Sequence, residues 1–198
     1  STNQTNDRTN NVMASGNGNS ANAGTVTNMV NINNGTKNIS VKVIGSVNVD
    51  LSKLLQGSSA KSDTITGSAI ADVIAAGKGV DRLTGGDSAD QFIFRLLDIF
   101  GKKGADIITD FSPDQGDQLV LSGQALPGLA NPGLATVSSK KELSSAQRSD
   151  NDLIYYQPKG QLFYDQNGRG KGFGSGGLFA VLANAPSLSA GDIGLLSQ

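Results

Sequence analysis

Residues 58–66 read SSAKSDTIT, residues 67–75 GSAIADVIA, residues 76–84 AGKGVDRLT and residues 85–93 GGDSADQFI. Set one above another, the four nonapeptides agree at two positions without a break. The sixth position is aspartate each time: Asp63, Asp72, Asp81 and Asp90. The eighth is apolar each time: Ile65, Ile74, Leu83 and Phe92. A short fixed period marks a stack of small units, none of which can bury its apolar face alone. Six turn residues and three strand residues make half a coil of a right-handed parallel β-roll, with position eight turned inward. Turns on one edge are then two rows apart, which pairs Asp63 with Asp81 and Asp72 with Asp90.

Carboxylates stacked in this way repel one another. A hard divalent cation relieves the repulsion when carboxylate and backbone carbonyl oxygens surround it at roughly 2.3–2.6 Å. The composition favours that use of oxygen. The chain has sixteen aspartates and one glutamate, Glu142. Charge is the same in both, so the choice is one of length: aspartate suits turns and tight oxygen cages. Cysteine and histidine are absent, which removes disulfides, thiol and imidazole chemistry and the usual zinc ligands. A net charge of −1 argues against nucleic acid as a partner. No run of eighteen apolar residues exists to span a membrane.

Outward from the ladder, the chain changes character near residue 91. All ten Phe and Tyr residues lie at or after Phe92, so the core before that point must be built from Val, Ile, Leu and Ala. Residues 1–24 are Asn, Ser, Thr and Gly with little to bury, and an extended or disordered polar arm is expected. No apolar leader is evident there, so a classical signal peptide is not expected. Residues 25–57 are read as strands that lead into or cap the roll. Ile39, Val41 and Val43 alternate with polar residues, as do Val47, Val49 and Leu51, and Asn33-Asn34-Gly35 signals a turn. A short helical patch is expected at 51–55.

The roll itself is assigned to residues 58–123. Within 104–123, Ile107-Ile108 and Leu119-Val120-Leu121 read as strands around the turn Ser112-Pro113-Asp114-Gln115-Gly116. Residues 124–198 are read as a β-sandwich-like cap. In it, 124–150 is loop-like with one helical turn, and 153–157 and 161–165 form a hairpin about Pro158-Lys159-Gly160. Asp165-Gln166-Asn167-Gly168 opens like an EF-hand loop, but residue 176 is Gly where the twelfth-position glutamate belongs. It is therefore read as a turn. The glycine-rich stretch 172–177 has no following Lys-Ser/Thr and is not a phosphate loop.

The ladder resembles the calcium-binding nonapeptide G-G-x-G-x-D-x-U-x of the RTX (repeats-in-toxin) family. Positions six and eight match throughout, both leading glycines only at Gly85-Gly86, position two also at Gly77, and position four only at Gly79. Where Ser58, Ser59, Lys61, Ser68 or Ile70 stand instead, the turn is expected to be altered and the site weak. The likeness extends to 104–123, where D-x-I-x-D-F and G-D-x-L-x-L-S resemble the segment that closes the roll. It extends also to 161–194, with Leu162-Phe163-Tyr164-Asp165, an Asn-Gly turn and a final Ser-Ala-x-Asp-Ile.

The resemblance implies Ca2+ as the bound ion. It offers Asp63, Asp72, Gly77, Gly79, Asp81, Gly85, Gly86, Asp87, Asp90, Asp106, Asp110 and Asp117 as candidate metal-site residues. The pair Asp72–Asp90 is the first choice. It further implies an extracellular or cell-surface protein, handled by a type I secretion machinery that reads a C-terminal signal. Two other functions remain open. One is a self-assembling structural or adhesive protein, a homo-oligomer or filament joined through the N-terminal arm. The other is the C-terminal appendage of a secreted hydrolase. No catalytic constellation is evident in the chain, so it is not read as an enzyme.

Overall fold

The computed structural model describes residues 26–33, 36–43, 62–95, 97, 99–129 and 133–196. Most of the regular structure is strand. The strands are β1 (Val26–Asn33), β2 (Thr36–Val43), β3 (Asp63–Thr66), β4 (Val73–Ala75), β5 (Arg82–Thr84), β6 (Gln91–Phe94), β7 (Asp106–Ile108) and β8 (Gln118–Leu121). They continue with β9 (Leu134–Val137), β10 (Leu153–Tyr156), β11 (Gln161–Tyr164), β12 (Gly177–Leu182) and β13 (Ile193–Leu195). One short helix, α1 (Lys140–Ala146), follows β9. Its first turn is capped by the Ser139 hydroxyl, which accepts from the Glu142 N–H. Among the described residues no helix is long and apolar enough to cross a membrane.

Two sheets hold these strands. The larger has nine strands in the order β1-β2-β3-β5-β7-β12-β11-β10-β9, and the smaller has four in the order β13-β8-β6-β4. From β3 to β8 the chain alternates between them. β3, β5 and β7 pair in parallel in the large sheet, and β4, β6 and β8 pair in parallel in the small one. The nonapeptide register is explicit: Ile65 lies beside Leu83, and Ile74 beside Phe92. All-β class and parallel strands thus follow from the period-nine pattern.

One apolar core fills the space between the sheets. Ile65, Leu83 and Ile108 enter it from one side, and Ile74, Phe92, Phe94, Leu119 and Leu121 from the other. Burying each such side chain fully is worth about 1.5–3 kcal/mol. The ladder rows supply only thin aliphatic layers, and the aromatic residues thicken the core where the C-terminal strands join it. Phe94 of the small sheet meets Phe179 of the large sheet edge to face, with ring centroids 5.5 Å apart.

The C-terminal residues depart from expectation in two ways. They do not form a sandwich of their own: β12 pairs in parallel with β7, Ala180 beside Asp106, and so β9–β12 extend the large sheet. The small sheet is likewise extended, by β13 against β8. Second, 124–150 is not merely loop. It contains β9, which pairs in parallel with β10, and α1, which with Phe163 and Phe173 covers the outer face of that sheet at Val137, Ile154 and Tyr156. This double covering explains why every residue of β10 is buried. The hairpin about Pro158-Lys159-Gly160 is present, with β10 antiparallel to β11. At the N-terminal side β2 pairs in parallel with β3, and β1 with β2 in antiparallel sense. The expected arm at 1–24, the strand at 47–51 and the helical patch at 51–55 lie outside the described residues.

Candidate metal centre

The sixth-position aspartates stand at the first residue of a strand (Asp63) or one residue before it (Asp72, Asp81, Asp90), and alternation turns each of them inward with the apolar residue two positions on. Asp63, Asp72, Asp81 and Asp90 are all buried, and so are Asp106 and Asp117 further along. Buried carboxylates need donors. Asp81, Asp90, Asp106 and Asp117 find one in the backbone N–H of the aspartate on the neighbouring strand. The Asp63 N–H donates to Asp81 Oδ1 at 2.8 Å, and the Asp72 N–H to Asp90 Oδ1 at 2.8 Å. The same bond recurs from Asp81 to Asp106 Oδ1 at 2.8 Å and from Asp90 to Asp117 Oδ1 at 2.9 Å. Two columns result, Asp63–Asp81–Asp106 on one edge and Asp72–Asp90–Asp117 on the other. Asp106 and Asp117 continue them although the rows leading to them are longer than nine.

The second carboxylate oxygen turns back onto its own turn. Asp72 Oδ2 accepts from the Ser68 N–H and hydroxyl, Asp81 Oδ2 from the Gly77 N–H at 3.1 Å, and Asp117 Oδ2 from the Ser112 N–H at 2.8 Å. Asp90 breaks the pattern. The amide that should serve it, on Gly86, donates instead to Asp110 Oδ2 at 2.9 Å, and the Gly85 amide donates to Asp110 Oδ1 at 2.9 Å. Asp90 Oδ2 is left buried without a partner, as are Asp72 Oδ1 and Asp106 Oδ2. An unsatisfied buried polar atom costs about 1–3 kcal/mol.

The glycines have distinct reasons. A Cβ on Gly85 would run into the Asp90 carboxylate and stand 3.0 Å from Phe92 Cζ, so position one is empty to make room for position six. Gly67 lies against the Asp72 carboxylate in the same way. Gly86 has φ +105 and backs onto the Ser68 carbonyl of the preceding coil. Position four takes positive φ at Gly79 (+119) and also at Ser88 (+78), a conformation that costs a side chain something. Asp87, also a candidate, is exposed and lies outside the hydrogen-bonded columns. Its position, three, faces away from the strand direction that carries position six inward.

Electrostatics register the crowding. Burial, and then repulsion from Asp63, push the Asp81 carboxyl up to about 6. Burial raises Asp90 to about 7, with Asp117, Asp72 and Asp110 adding repulsion. Asp106 is raised to about 8 by burial and by Asp81. Asp72 and Asp117 are raised by burial as well.

The donor set therefore fits a hard cation. It consists of carboxylate oxygens lacking partners, further carboxylates whose N–H partners are exchangeable, and turn carbonyls such as that of Ser68. Among the described residues no three acidic side chains converge as a cluster that could hold a metal on their own. Any ion here would take carbonyl oxygens alongside one or two carboxylates, which suits Ca2+. Comparison with protein-family models, curated proteins and solved structures finds no match.

Proposed function

We propose that the chain is a secreted calcium-binding module of the RTX type, in which the coils of 58–123 form a β-roll and Ca2+ binds along its aspartate columns. The observation that carries this reading is the stack of buried carboxylates, with Asp90 Oδ2 and Asp72 Oδ1 unpartnered on one edge. In metal-free conditions those groups oppose folding. Where calcium is plentiful, as outside a cell, the ion neutralises them and its binding free energy becomes folding free energy. Residues 161–194, by their likeness to the C-terminal region of that family, are the segment a type I exporter would read. The module's part is structural and binding rather than catalytic.

The test is a melt of the full chain with and without Ca2+. Ligand at a hundredfold over Kd adds about 2.7 kcal/mol per site. Calcium is expected to raise the Tm and the far-ultraviolet β signal, and Asp90→Asn to reduce that gain. A melting curve indifferent to chelator and to millimolar Ca2+ would overturn the reading.

A further inference from the structure

A second acidic site lies away from the ladder, where β10 begins and β11 ends. Asp152 precedes β10 and Asp165 follows β11, and the Asp165 N–H donates to the Asp152 carbonyl at 2.8 Å. Asp165 is 1% exposed. One of its carboxylate oxygens, Oδ1, accepts from the Asn167 N–H at 3.3 Å, and the other, Oδ2, is buried with no partner. Burial, and then repulsion from the Asp152 carboxylate, raise the Asp165 carboxyl, and burial with both carboxylates raises the Tyr164 phenol. The nearby cation, Arg169, is engaged at the surface by Asp150 and does not figure among the groups acting on Asp165.

We propose that Asp165 and Asp152 bind a hard divalent cation, Ca2+ by preference, at the β10–β11 end of the large sheet, separate from the aspartate ladder. Asp165 Oδ2 is the anchoring ligand. Asp152 and carbonyl oxygens of the loop 165–176, with water, complete a coordination that only a flexible, oxygen-seeking ion accepts. β12 stands between β7 of the ladder and β11, the strand that Asp165 follows. The first four residues of the loop are Asp-Gln-Asn-Gly, but residue 176 is Gly and supplies no bidentate carboxylate. The affinity expected is that of a weak extracellular site, roughly 10⁻⁴–10⁻³ M.

Tyrosine-sensitised terbium luminescence tests this directly. The chain has no Trp, and its three Tyr residues, Tyr155, Tyr156 and Tyr164, lie on β10 and β11. Tb3+ added to the metal-free full chain and excited at the tyrosine band is expected to emit, and millimolar Ca2+ to quench the emission by competition. Asp165→Asn and Asp152→Asn should each lower the emission at least tenfold, with the circular dichroism of the metal-free protein unchanged. Asp90→Asn, which strikes the ladder, should leave it. Absence of emission from the parent chain overturns the proposal. So does emission retained in Asp152→Asn, the variant that decides if Asp165→Asn fails to fold, or emission lost only in Asp90→Asn.

Discussion

Acidification should stabilise the metal-free protein, against the usual behaviour of carboxyl groups. Asp81, Asp90 and Asp106 have folded-state values of about 6, about 7 and about 8, all above the ordinary 3.8. Between those values the folded chain holds protons that the unfolded chain has released, so stability falls as pH rises. The stabilisation is complete near pH 4 and is lost through pH 6–8. For Asp90 alone, the passage from pH 5.5 to 8 costs about 2 kcal/mol. The three groups share their repulsions and do not add fully, which brackets the ladder between about 2 and about 5 kcal/mol. For a chain of this size that is roughly 5–15 °C in Tm. Glu142 and Asp150 are shifted downward by hydrogen bonds from Ser138 and Arg169, so they titrate below this window and leave its sign alone. The assay is a thermal melt of metal-stripped protein at pH 5.5, 6.5, 7.5 and 8. A Tm that is flat or rises across the series refutes the argument. In millimolar Ca2+ the fall should shrink or reverse, because the ion competes with the protons and binds best once they have left.

Four substitutions probe the ladder's construction, each read from a denaturant melt of metal-free and calcium-loaded protein. Ser88→Gly removes a side chain from positive φ and should gain about 0.5–1 kcal/mol. Gly86→Ala puts a methyl into φ +105 and against the Ser68 carbonyl, and should lose about 2 kcal/mol or more. Phe92→Ala empties a fully buried site and should lose about 3–5 kcal/mol with or without calcium. Asp110→Ala strips the Gly85 and Gly86 amides of their acceptor, and should lower calcium-dependent stabilisation while releasing the Gly86 amide towards Asp90.

Much of this was legible before any coordinates, and the residues say why. A period of nine forces like onto like, so Asp63 over Asp81 and Asp72 over Asp90 follow from counting. Inserted residues erased the period afterwards. Asp106 and Asp117 take the same place in their columns, but they stand 25 and 27 residues from their partners. The alternation of Asp106 with Ile108 and of Asp117 with Leu119, within the D-x-I-x-D-F and G-D-x-L-x-L-S segments, is what signals the continuation. β9 carries no clear signal in the sequence, since Leu134–Val137 is short and lies between a proline-containing stretch and a Ser/Lys run; it is a strand because β10 offers it a parallel partner. At Asp165 the sequence points to a turn, because residue 176 is Gly where an EF-hand loop has its glutamate, and burial of the second carboxylate oxygen leaves no mark in the sequence.

The two edges of the ladder differ, and the difference decides where an ion would enter first. On the edge of Asp81, position one is Ala76 and the Gly77 amide satisfies the carboxylate, so that turn is closed without metal. On the edge of Asp90, Gly67 and Gly85 bring the backbone hard against the carboxylates, and Asp110 draws away both amides of the Gly85-Gly86 pair. Asp90 then faces Asp72, Asp110 and Asp117 with one oxygen unpartnered. Those mutual repulsions, with one oxygen unserved, make this the edge where the proposed ion would relieve most strain. Glycine at position one therefore has a function beyond flexibility. It leaves the room that the aspartate carboxylate fills, at Gly67 for Asp72 and at Gly85 for Asp90.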